Sequence, residues 1–181
     1  GRDLSMSQTD VERTKEPTAS FSIGAASHTG RATRWSSSGG GNLDGFDSTE
    51  DAMNGQYRIH QAVAEFAYKH QGFSTQNEFH WKSITDKSMA YGMSGRESDL
   101  YGLYSQAGYF FNEVWDSFPE PLELAARYAW LREPNELTRS IDNQRQEFTI
   151  GANWFFAGHN NKLTLDCSYL TLDDDGLGQD K

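Results

Sequence analysis

Residues 73–85 read FSTQNEFHWKSIT. Phe73, Thr75, Asn77, Phe79 and Trp81 alternate with Ser74, Gln76, Glu78, His80 and Lys82, so an extended chain with a two-residue period collects rings on one surface and hydrogen-bonding groups on the other. The same division recurs where Leu122, Leu124, Ala126, Tyr128 and Trp130 oppose Glu123, Ala125, Arg127, Ala129 and Leu131. It recurs again where Phe148, Ile150, Ala152, Trp154 and Phe156 oppose Glu147, Thr149, Gly151, Asn153 and Phe155. Outward from these stretches the chain shows about seven such runs, at residues 19–28, 56–69, 73–85, 100–111, 122–132, 145–156 and 162–172. Each is ~10 to 14 residues long, against about 5 or 6 for strands of soluble domains. A strand tilted by ~45° needs about 9 to 11 residues to cross a bilayer.

The pattern predicts an all-β fold of antiparallel up-and-down strands forming part of a transmembrane β-barrel. The connections reinforce it: residues 29–55, 86–99 and 133–144 are long and polar, whereas 70–72, 112–121 and 157–161 are shorter. Outer-membrane barrels carry long loops on the outside and short turns on the periplasmic side. Phe66, Tyr68, Phe79, Trp81, Tyr109, Tyr128, Trp130, Trp154, Phe156 and Tyr169 fall on the apolar parity and are expected to face lipid, most of them near strand ends where indole and phenol rings favour the headgroup level. A soluble β-sandwich that binds a ligand or carbohydrate through its aromatic face shows the same alternation and stands as the alternative. The two differ in whether water or lipid meets that face.

Composition narrows the function classes. Of 181 residues only 36% are hydrophobic and no run of ~20 is apolar, so no segment spans a bilayer as a helix, and 13% are aromatic, too many for a disordered chain. Net charge is -10, so a nonspecific grip on nucleic acid is not expected. Cys167 is the one cysteine and makes neither an internal disulfide nor a structural zinc site. His28, His60, His70, His80 and His159 do not converge on strand geometry, so no metal and no cofactor is expected. The pair Asp173 and Asp175 resembles part of a calcium loop, but Thr171 stands in the first ligand place. Gly92-Met-Ser-Gly95 lacks the spacing of a nucleophile elbow, and Ser36 to Gly41 is a flexible loop tip rather than a phosphate cradle. No catalytic residue emerges, and the chain is not expected to be an enzyme.

The organisation expected is a loop or linker over residues 1–18, a partial barrel over 19–172 and an acidic outer loop over 173–181. Seven strands that begin on the short-turn side end on the long-loop side, and a barrel of even strand count needs a further strand to close. The chain therefore reads as a piece of a larger barrel.

Five stretches carry a family resemblance: SIGAA at 22–26, AEFAYKHQGFSTQNEFHW at 64–81, LELAARYAWL at 122–131, QEFTIGANWFF at 146–156 and KLTLDCSYLTLD at 162–173. In order and spacing they resemble the phosphate-selective porins, the O and P type porins of Gram-negative outer membranes. The resemblance implies a barrel of about 16 strands in the cell outer membrane. It also implies a homotrimer when full length, surrounded by membrane lipid and lipopolysaccharide, passing small hydrophilic solutes or inorganic anions such as phosphate and polyphosphate. This sequence matches the last half without the closing strand. The family's constriction loop and most of its anion-guiding Arg and Lys residues lie in the earlier half and have no counterparts here.

Parity alone assigns side chains to the lumen. Cations Lys69, Lys82, Arg127, Arg145 and Lys162 share that face with anions Glu65, Glu78, Glu123, Glu147 and Asp166, beside His80. A wall that concentrates phosphate needs an excess of positive charge, and none is present. The acidity resides mainly in outer segments, at Asp44, Asp47, Glu50, Asp51 and Asp173 to Asp175. Arg127, mid-strand beside Ala126 and Ala129, reads either as a bidentate donor to a permeating oxyanion or as a brace paired with Glu147 or Glu78. Lys69, Lys82 and Lys162, near strand ends, are expected to be solvated rim charges.

Overall fold

The structure is a computed structural model that describes residues 9–31, 56–86, 97–133 and 143–174. Seven strands account for most of them: β1 (Thr18–Arg31), β2 (Gln56–His70), β3 (Phe73–Asp86), β4 (Glu97–Tyr109), β5 (Leu122–Glu133), β6 (Asn143–Phe155) and β7 (Lys162–Asp174). They form one sheet in chain order, every strand antiparallel to the next. Among the described residues β1 and β7 are open edges and no second sheet exists. This open all-β meander of long strands is consistent with part of a β-barrel.

Register keeps the two faces separate across the whole sheet. Phe79 sits between Ala64 and Leu103, Tyr128 between Ser105 and Phe148, and Ile150 between Ala126 and Cys167, all on one surface. Glu78 sits between Glu65 and Tyr104, and Arg127 between Gln106 and Thr149, on the other. A slip of one residue in any pair would exchange the faces.

The apolar surface is uncovered. Phe21, Ile23, Phe66, Phe79, Phe148, Ile150, Leu163, Leu165 and Tyr169 are all exposed, Leu165 by 74%. A water-soluble domain does not leave a continuous apolar sheet face bare, and a sandwich would lay its second sheet here. Among the described residues the buried apolar side chains are few, Ile84, Phe110 and Phe155.

Two strand boundaries correct the sequence reading. The fourth strand, expected over 100–111, runs Glu97–Tyr109. The chain leaves the ladder at Phe110, whose N–H donates to the Gly72 carbonyl at 3.2 Å, and then winds through a 3-10 turn at Phe111–Glu113. The connection 110–121 is thus longer than 87–96 or 134–142, an exception to the sorting by length that 71–72 and 156–161 keep at the same end of the sheet. The expected long loops fall outside the described residues, together with Asp44, Asp47, Glu50, Asp51, Asp175, residues 36–41 and residues 92–95.

The tightest reversal joins β2 to β3 through Gln71 (φ 46°) and Gly72 (φ 78°). Two central residues with positive φ make a primed turn, whose twist matches that of the strands it joins. Glycine meets this need without strain, whereas Gln71 adopts a left-handed conformation that costs a side-chain-bearing residue about 1–2 kcal/mol. The Gln71 N–H donates to the Thr14 carbonyl at 2.8 Å, which helps offset that cost.

Candidate functional site

The polar face is organised in rows running across the strands. One row, read through successive register partners, is Glu65, Glu78, Tyr104, Ala129 and Glu147. The next, one step toward the short turns, is Gln76, Gln106, Arg127, Thr149 and Ser168. Carboxylates directly opposite one another repel, yet Glu65 and Glu78 hold separate donors. The Ser22 hydroxyl donates to Glu65. The Tyr104 hydroxyl donates to Glu78 Oε1 at 2.6 Å, and His80 Nε2 lies 3.1 Å from Glu78 Oε2.

Arg127 takes neither of the partners proposed for a brace. Its guanidinium carbon lies 5.2 Å from the centre of the Tyr104 ring, and it forms no ion pair with a described carboxylate. The link to Glu78 is indirect: Arg127 over the ring, the ring's hydroxyl on the acid. Cation–π contact leaves the N–H donors of the guanidinium available toward open space. In the same row Gln106 Nε2 donates to Gln76 Oε1 at 3.2 Å, and the hydroxyls of Thr149 and Ser168 are 2.7 Å apart. A concavity of about 410 Å³ lies over this region, lined by Gln76, Gln106, Arg127, Asn153, Thr164 and Asp166 among others.

Nearer the short turns the polar face is covered, and the expectation for Lys69 is corrected. Lys69 is only 6% exposed, not a solvated rim charge. Its register partner Ser74 is capped by Thr9, whose hydroxyl oxygen lies 3.1 Å from that of Ser74, so the segment before β1 screens this level of the wall. Glu123 is 2% exposed, also beneath Thr9, which donates to it; Asn153 Nδ2 donates to its other oxygen at 2.8 Å. The Glu123 side chain folds over Gly108, where a Cβ would stand 2.0 Å from its Oε1. Phe155, on the polar parity, is buried against Phe110, ring centres 5.6 Å apart. Lys162 is exposed with its ammonium 5.9 Å from the Phe155 ring.

Sequence periodicity could not find residues 9–14, which follow no strand pattern. Asp10, 2% exposed, accepts the N–H of Gly72 at 2.8 Å and that of Thr14 at 2.9 and 3.0 Å. Arg13 stacks 3.6 Å above Phe110 and donates to the Val11 and Glu120 carbonyls, to Asn112 Oδ1 and to Glu113 Oε1. The one local hint was an Asp four residues ahead of a Thr, a spacing that lets a carboxylate collect backbone N–H groups.

On the opposite surface the register collects Phe66, Tyr68, Phe79, Trp81, Tyr109, Tyr128, Trp130, Trp154 and Tyr169, while Phe156 stands just past β6 and is exposed. Rings form a chain at the short-turn end: Tyr68, Phe73, Tyr109, Phe111, Phe118 and Trp115 succeed one another with centres 5.0 to 6.4 Å apart. A second band holds Trp81, Tyr101 and Trp130, with Trp81 Nε1 donating to Asp99 Oδ1 at 3.1 Å. From Phe73 to Trp81 is eight residues, about 26 Å along a strand and about 20 Å along the normal at ~40° tilt, close to the apolar band of about 25 Å between aromatic girdles.

A sheet with one bare apolar surface, bands of rings and a polar reverse is what a porin wall requires, and the family model for phosphate-selective porins O and P matches residues 4–180. The chain belongs to this family. Neither the curated proteins nor the solved structures searched give a match. The family is one of outer-membrane channels rather than enzymes, and the meander of this porin supplies the strand architecture such a channel needs. On the polar face of the porin wall five cations stand beside five anions among the residues assigned from sequence. The two most covered, Lys69 and Glu123, are one of each sign, so the accessible remainder is balanced too.

Proposed function

We propose that this sheet forms part of the wall of a passive diffusion channel in the outer membrane, its polar face toward a water-filled lumen and its aromatic face toward lipid. The observation that carries this reading is the unbroken register that gathers most of the large apolar side chains on one surface and the charged ones on the other across the sheet. Lipid and lipopolysaccharide then meet the apolar face, and the family resemblance supports a trimer of the full-length protein.

For the solute, the balanced wall supports small hydrophilic molecules with weak charge preference. The row of Gln76, Gln106, Arg127, Thr149 and Ser168 offers donors and acceptors to a permeating hydroxyl or oxyanion alike. Inorganic anions such as phosphate pass as members of that wider set.

Planar-bilayer recordings of the full-length protein test this. Under a tenfold salt gradient the reversal potential should fall far below the ~59 mV of an ideally selective pore, and phosphate should not block chloride current at millimolar concentration. A phosphate-blocked chloride current would replace weak preference with true phosphate selectivity. Absence of any current would end the channel reading.

A further inference from the structure

Residues 9–14 do work on the polar face that strand pairing does not ask of them. The chain continues into β1 at Thr18, yet Thr9 reaches Ser74 on β3 and Glu123 on β5, and Arg13 reaches the connection between β4 and β5. From β1 to β5 is four strand spacings, about 19 Å. The segment therefore crosses the wall instead of following it, and it does so on the side of the concavity that Thr9 helps to line.

We propose that Thr9–Thr14 is a fixed strap that narrows the short-turn mouth of this pore, with Thr9 over Glu123 as its size-limiting contact and Asp10 as the residue that positions it. The proposal rests on the reading that the polar face lines the passage. The anchors are built for permanence. The buried Asp10 carboxylate accepts the Gly72 and Thr14 N–H groups, the Thr14 carbonyl accepts from Gln71, and Arg13 spends its donors on two carbonyls, an amide and a carboxylate while stacked on Phe110. A buried carboxylate with its acceptors filled holds its donors in place, because releasing them leaves a charge without partners. A peptide laid across the face of the wall takes roughly 5 to 10 Å from the space in front of it, up to the spacing of stacked layers.

The test uses the full-length protein in planar bilayers. Asp10→Ala should raise single-channel conductance by roughly a third or more, the gain in cross-section when an obstruction at least ~5 Å deep is removed from one side of a passage on the order of 15 Å across. It should also admit larger polyethylene glycols, while Asp10→Asn, which keeps one acceptor, should fall between. Thr9→Cys in a Cys167→Ser background gives a readout on channels already inserted and conducting. A positively charged methanethiosulfonate added from the short-turn side should lower conductance stepwise and reversibly with reductant, and this measurement decides should Asp10→Ala not insert. Equal conductance and exclusion size in Asp10→Ala and wild type, or modification of Thr9→Cys without effect on current, would overturn the strap. A wild type that carries no current would instead remove the channel reading.

Discussion

Ile150 lies mid-strand on β6, between Ala126 and Cys167, 55% exposed on the apolar face; its chain neighbour Thr149 lies on the polar face between Arg127 and Ser168. Arginine at a lipid-facing site costs about 2–4 kcal/mol at the bilayer midplane and about 0–1 near the interfaces. Ile150 is separated from the girdle residue Trp154 by Ala152 and stands near the middle of its thirteen-residue strand, so the full midplane cost applies. Ile150→Arg should therefore lower the folded-to-unfolded ratio of the full-length protein by roughly 30- to 1,000-fold. Leu163→Arg, paired with Trp154 at the girdle, should cost less than about 1 kcal/mol, and Thr149→Arg about as little, because both charges reach water. Urea titration of protein folded into phosphatidylcholine vesicles, followed by tryptophan fluorescence, measures all three. The depth gradient is the discriminating result, since a soluble sandwich would penalise any charge buried between its layers without regard to distance from a girdle. Equal costs for Ile150→Arg and Leu163→Arg would refute the lipid-facing assignment.

Other expectations follow from single contacts. Cys167, exposed on the apolar face, should resist a charged, membrane-impermeant maleimide in vesicles and react once urea unfolds the protein; rapid labelling in vesicles would place water at that face. Gly72→Ala meets a positive φ and neighbours at 3.1 Å from Arg13 and Glu113, so it should destabilise by about 1–3 kcal/mol in the same titration. Gly108→Ala would drive a Cβ into the Glu123 carboxylate. Displacing that carboxylate from Asn153 and Thr9 should cost about 1–3 kcal/mol, and Glu123→Ala in the same chain should relieve most of the clash, a non-additive pair that a double-mutant cycle reads directly. Arg127→Ala removes the one cation of the row Gln76 to Ser168 and should move the reversal potential toward cation preference; an unchanged value would show that its guanidinium does not face the permeating ions.

The strands were legible because two-residue periodicity is local: Phe73 to Thr85 announce both the extended chain and its faces without knowledge of any partner. The pairings followed, since a meander lets each strand find its neighbour through a short connection. Where β4 ends was not legible. Phe110 continues the apolar run of Tyr109 and Phe111, and its partners inside, the Gly72 carbonyl, the Arg13 guanidinium and the Phe155 ring, are all distant in sequence. The state of the charges was equally hidden. Lys69 and Glu123 have the same parity as Lys82 and Glu147, yet both are buried, and Glu123 lies under Thr9, which is beyond the strand pattern. Of the two readings of Arg127, the brace draws its carboxylate partners from charge alone, whereas in the structure the guanidinium lies over the ring of Tyr104.

Because every strand is bonded only to its predecessor and successor, each hairpin is a self-contained module. Duplicating or deleting one leaves all other pairings intact, so the girth of such a wall can change over evolution two strands at a time. The exception is the stretch spanned by Arg13 and Asp10, whose bonds stitch the turn after β2 to the connection after β4. Modules cannot be exchanged inside that stitch without cutting it, which makes this corner the part of the molecule least free to drift.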